Sequence, residues 1–147
     1  MTALQNIRTQ LKAILKDISG IGNIYPYYRY KKNDWNETLK LFKLGSDFKG
    51  VMFRQVSRKD PVDDDNNDIT RKWEFTMLRQ VNDEQQTALQ FEDLIEVVCE
   101  TFNNENQDLN NSVREHNNLQ LIDITEQMIG DVLCHQAVLN LETIESI

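Results

Sequence analysis

Gly130–Ile147 reads GDVLCHQAVLNLETIESI. Successive side chains of an extended chain point to opposite faces, so Leu133, His135, Ala137, Leu139 and Leu141 share one side while Cys134, Gln136, Asn140 and Glu142 share the other. Alternation over this length predicts a long closing strand with one apolar face, and a sheet must exist to receive it. Immediately upstream, Leu119–Thr125 reads as the penultimate strand, and Gly130 marks the turn between the two.

Further outward, Val51–Lys59 and Ile69–Val81 are extended stretches that predict a hairpin. The second places Ile69, Trp73, Phe75 and Met77 on one face, with Lys72, Glu74 and Thr76 opposite. Their connection, residues 60–68, holds Pro61 and five aspartates, too polar to bury, and is expected to project as an acidic tip. Leu4, Ile7, Leu11, Ile14, Leu15 and Ile18 recur at three- and four-residue steps, which predicts an opening helix that stops at Ser19-Gly20. Gly20 and Gly22 permit a cap and turn, after which Ile24–Tyr30 reads as extended. Asp34 is the expected N-cap of a short helix through Phe42 that aligns Trp35, Leu39 and Phe42, although the apolar run to Leu44 also fits a strand.

Asp83 is the expected cap of a long helix whose stripe is Ala88, Phe91, Ile95, Val98 and Phe102, with Glu92, Asp93, Glu96 and Glu100 in water. Residues 103–118 turn to Asn, Gln, Asp and Glu, as in a polar surface loop with a helical turn near Leu109–Val113. Strands and two substantial helices in this order indicate an α+β fold. With 147 residues, 39% of them hydrophobic, the chain suits one domain over 1–147 and is too short for two comfortable cores.

Against 16 basic residues stand 24 acidic ones, and the resulting net charge of -8 disfavours unspecific adhesion to phosphate backbones. No apolar run approaches the roughly 20 residues that span a bilayer, and Met1–Leu11 has neither a basic nor an apolar leader region. The expectation is a protein made in the cytosol. Cys99 and Cys134 fall inside an apolar helix pattern and a strand pattern, which predicts reduced, small buried side chains.

Several constellations invite chemistry. Asp63, Asp65, Asn67 and Glu74 stand at positions one, three, five and twelve of a calcium loop. Position six, normally Gly, is Asp68, and the flanks read as strands, so a solvated acidic tip is the preferred reading and no metal is expected. Cys99, His116, Cys134 and His135 are the soft ligands, but adjacent strand positions diverge, so Cys134 and His135 cannot share an ion or form a nucleophile pair. His135 is expected at the core edge with a hydrogen-bond partner. No Gly-x-Ser-x-Gly elbow occurs, and Gly20-Ile21-Gly22 lacks the third glycine and the preceding strand of a phosphate cradle. No enzyme and no cofactor are expected. Tyr25, Tyr27, Tyr28 and Tyr30, interleaved with Arg29, Lys31 and Lys32, would suit stacking on single-stranded nucleic acid, or equally tyrosines packed by one edge. The candidate interaction residues are Asp63, Asp64, Asp65 and Asp68 of the tip, Tyr27, Arg29 and Lys31 of the aromatic segment, and His135.

Gly20-Ile21-Gly22 after the first helix, the tyrosine-rich segment, Trp35 with Leu39 and Phe42, and Trp73-Glu74-Phe75 form a succession across the chain. It continues through FEDLIEVVCETF (Phe91–Phe102) to QMIGDVLCHQAVLNLE (Gln127–Glu142), and it resembles the tail terminator or tail-completion proteins of long-tailed bacteriophages. The asparagine-rich loop and the five-aspartate tip depart from that pattern. The resemblance implies a single mixed, mainly antiparallel β-sheet flanked by an N-terminal helix and a long central helix. It also implies a homo-oligomeric, hexameric ring in the virion, built in the host cytoplasm, that caps the tail tube at its head-proximal end. There it halts tube polymerisation and joins the tail to the neck, with genomic DNA passing through the lumen and no membrane involved. A head-completion or connector protein of the virion, and a small cytosolic ion- or nucleotide-binding regulator using the acidic loop, are the alternatives.

Overall fold

The computed structural model describes residues 2–29, 34–61, 67–105, 108–109 and 111–146. In chain order these form α1 (Ala3–Lys16), β1 (Asn23–Tyr25), α2 (Trp35–Lys40), β2 (Lys43–Leu44), β3 (Asp47–Lys59) and β4 (Asp68–Gln80). There follow α3 (Thr87–Glu105), β5 (Glu115–His116), β6 (Gln120–Ile129) and β7 (Val132–Ser146). β3, β4, β7 and β6 lie side by side, each antiparallel to its neighbour. β1 adds to β3 in parallel, β2 folds back on β3, and β5 extends the far side of β7. The chain is therefore α+β, with one mixed, mainly antiparallel sheet flanked by an N-terminal and a central helix. No helix among the described residues is long and apolar enough to cross a membrane.

β7 lies between β4 and β6, and its alternation reflects one face packed under the helices and a more polar opposite face. Ala137, Leu139 and Leu141 are buried under the helices, whereas Leu133, at the turn end, is exposed beside its more exposed partner Met128. Ile7, Leu11 and Leu15 of α1 and Phe91, Ile95, Val98 and Phe102 of α3 pack on Val51, Phe53, Trp73, Phe75 and Met77. Phe75 holds this core laterally, stacked on Phe53 at 5.2 Å and edge-on to Phe102 at 5.8 Å. A capping box starts α1, with Gln5 N–H donating to Thr2 Oγ1 at 3.1 Å and Thr2 N–H to Gln5 Oε1 at 2.8 Å. Asp34 caps α2 as expected, accepting from Glu37 N–H at 3.1 Å.

Four local expectations are corrected. The strand expected over Ile24–Tyr30 ends at Tyr25, because Pro26 supplies no N–H to continue a ladder. Asp83 does not cap the long helix: Asn82 caps a single 3-10 turn, Gln86 then adopts φ +57°, and α3 begins at Thr87. The buried stripe consequently starts at Thr87, and Ala88 faces solvent. α2 stops at Lys40, short of Phe42, and leaves Trp35 exposed. Within the polar stretch 103–118, Leu109 and Val113 are buried and Glu115–His116 forms β5, so this loop is anchored to the core at several points.

Candidate functional site

With one face of the sheet taken by α1 and α3, the alternate residues of β3, β4 and β7 form a second face. α2 covers only one end of it, where Leu39 and Phe42 pack against Leu78, Ile129 and Cys134. Between α2, the segment after β1 and this face lies a groove of about 360 Å³, walled by Trp35, Leu39, Phe42, Met52, Leu78 and Val138. Its polar floor is one connected cluster. Tyr28 Oη donates to Glu74 Oε1 at 2.7 Å and lies 2.6 Å from Thr76 Oγ1. The Arg54 guanidinium covers the Tyr28 ring at 4.2 Å and reaches Glu74 Oε1 at 3.5 Å. Burial pushes the Tyr28 hydroxyl well above its ordinary range, so it acts as a donor.

This cluster settles the geometry of two earlier candidates. Glu74 stands on the β4 ladder opposite Asn140 and Arg54 and is engaged by Tyr28, so it is not placed as the closing ligand of a calcium loop. Asp63, Asp64 and Asp65 lie outside the described residues. Asp68 opens β4 and accepts from Arg114 Nη2 at 2.9 Å, which ties the base of the hairpin to the β5 segment. The aromatic segment folds on itself rather than presenting a row of rings. Tyr25 packs edge-on to Phe42 at 5.4 Å, Tyr28 turns inward, and Arg29 lies over Tyr25 and Tyr27 at 4.9 and 5.3 Å. Tyr27 alone of these three rings is mainly exposed; Tyr30, Lys31 and Lys32 lie outside the described residues.

His135 has the hydrogen-bond partner expected of it. Its Nε2 lies 2.9 Å from Thr87 Oγ1, its Nδ1 lies 3.3 Å from Glu126 Oε1, and its ring stacks on Phe91 at 5.5 Å. Being buried, it joins the start of α3 to β7 and β6 and offers no atom to a docking partner. Cys134, its neighbour, points into the opposite cluster under α2, where burial pushes the thiol up to about 11. No group of metal-ligating side chains assembles among the described residues.

Another surface was not singled out by the sequence. β6 pairs with β7 on one side, and no strand among the described residues pairs with its outer edge. That edge strand carries Leu121, Ile122 and Met128 at 42%, 55% and 62% exposure. A signal was present in Leu121-Ile122-Asp123, where adjacent apolar residues break the alternation; the ladder slips there between Leu121 and Asp123. This outer edge leaves backbone donors and acceptors and several aliphatic side chains in water. No family model matches the chain, and no curated protein matches it.

Proposed function

We propose that this chain is a structural subunit of a long-tailed bacteriophage, a tail terminator that closes into a hexameric ring on the head-proximal end of the tail tube. In that role it blocks addition of further tube subunits and presents a surface to the neck, and it carries out no catalysis. The motif succession from Gly20 to Glu142 motivates the reading, and the observation that carries it is the outer edge of β6, which no strand among the described residues pairs. An isolated monomer with such an edge is liable to open-ended aggregation, whereas a closed ring pairs every edge and stops. The net charge of -8 suits a wall that duplex DNA passes without sticking, because duplex affinity comes mainly from neutralised phosphates. The aspartate tip at residues 60–68 is the segment assigned to that lumen.

The test is electron microscopy of purified tail tubes incubated with the chain and then with excess tube protein. Rings at one end, and tubes that no longer lengthen from it, are the expected result. Tubes that continue to grow and never acquire terminal density would refute the reading.

A further inference from the structure

The sheet has a second open edge. β1 pairs with β3 only at Gly50–Met52, so Phe53–Lys59 of β3 has β4 on one side and no strand among the described residues on the other. The two open edges differ in charge. β6 carries Asp123 and Glu126, whereas the open part of β3 carries Arg54, Arg58 and Lys59. We propose that the β6 edge of one copy pairs with the Phe53–Lys59 edge of β3 in the next copy, so that the sheet runs on from subunit to subunit. The inference rests on the ring reading above and names the surfaces that would meet in it.

Two observations converge on this joint. The first is charge on matched faces. Asp123 lies opposite Val138, and Arg54 and Lys59 lie opposite Glu74 and Thr70, all on the face that α2 partly covers. Glu126 lies opposite His135, and Arg58 opposite Arg71, on the helix-packed face. Acid therefore meets base on both sides of the joint, whereas β6 against β6 would set acid on acid and β3 against β3 base on base. Charge thus favours the head-to-tail contact that generates a ring.

The second is strand direction. β3, β4, β7 and β6 alternate in direction, so a copy rotated about an axis along the strands presents its β3 antiparallel to the preceding β6. That pairing matches the other long ladders of the sheet.

The experiment uses the full chain as two variants, Asp123→Lys with Glu126→Lys, and Arg58→Glu with Lys59→Glu, each checked for native circular dichroism. Assembly is read by sedimentation and by micrographs in the presence of tail tubes. Each variant alone should assemble at least about tenfold more weakly than wild type, because its joints set like charges together. An equimolar mixture should recover assembly, because alternating copies again place opposite charges across each joint. Wild-type rings with variants that assemble equally well, or with a mixture that fails to recover, overturn the joint and leave the ring reading standing. A wild-type chain that never forms rings overturns both. Should a charge variant fail to fold, Ser57→Cys with Thr125→Cys in one chain, two positions on the same face, should give a ladder of disulfide-linked multimers under mild oxidation. Covalent species no larger than those of the single-cysteine controls overturn the proposal.

Discussion

Replacing Glu145 with Ala removes the counter-charge from Arg71, a residue only 4% exposed on the core face of β4. Arg71 Nε donates to Glu145 Oε1, and its Nη1 donates to Gln55 Oε1 at 2.8 Å. Without the carboxylate, the neutral Gln55 amide accepts one hydrogen bond and cancels no charge, while a guanidinium cannot shed its proton. Removing one member of a buried ion pair costs about 3–5 kcal/mol. For a chain of this length that is a fall in Tm of about 10 °C or more, readable by circular dichroism and by a urea titration. Arg114→Ala is the internal control: it breaks a 2.9 Å pair to Asp68 in which the arginine side chain is 48% exposed, and should lose under about 1 kcal/mol. Converting Arg71 and Glu145 together to Leu should recover most of the loss, since no charge is then left buried. A Glu145→Ala protein within about 1 kcal/mol of wild type would refute the reasoning, because it would mean that the guanidinium reaches water around the end of β7.

The two glycines after α1 should separate backbone strain from steric clash. Gly20→Ala, at φ +83° with open space around it, should cost about 1 kcal/mol, while Gly22→Ala, at φ +86° with its Cβ 2.4 Å from the Lys49 carbonyl oxygen, should cost about 3 kcal/mol or more by urea midpoint. Cys134, its thiol pushed up to about 11, should react with Ellman's reagent at pH 8 only when the protein is unfolded. Because the unfolded thiol ionises near ~8.5, the folded state retains a proton that the unfolded state has lost. Stability should therefore fall as pH rises from there to about 11, and Cys134→Ala should show a shallower fall over the same window.

Where local spacing was sufficient, the fold was legible. Ile7, Leu11 and Leu15 fall on one stripe of α1, and Trp73, Phe75 and Met77 on one face of β4, because 3.6- and 2-residue periods are properties of the backbone that any core must respect. Legibility declined where competing local signals met. Asp83 and Asn82 are both capping residues, and which one caps depends on the Thr87 hydroxyl, which lies within 2.9 Å of His135 Nε2 on a strand 48 positions away. The tyrosine segment reads as a stacking platform only while Pro26 is ignored; its break in the ladder sends Tyr28 to Glu74, 46 positions along the chain. The open β6 edge left one trace in the sequence, the broken alternation at Leu121-Ile122-Asp123, which does not tell an edge from a buried strand; both aliphatics are exposed.

The linear sequence by itself determined which side of each long strand and helix would be apolar, the pairing of β3 with β4, the turn at Gly130 and the α+β class. Those properties depend on neighbours within a few residues, where backbone geometry alone relates position to direction. Tertiary structure alone decided that β1 runs parallel to β3, that α2 covers one end of the second face, and that β6 and the open part of β3 lie outermost with opposite charge. Strand order is a choice among long-range pairings whose apolar faces are all compatible. It is settled by the free energy of the whole packed sheet, so no spacing between nearby residues records it.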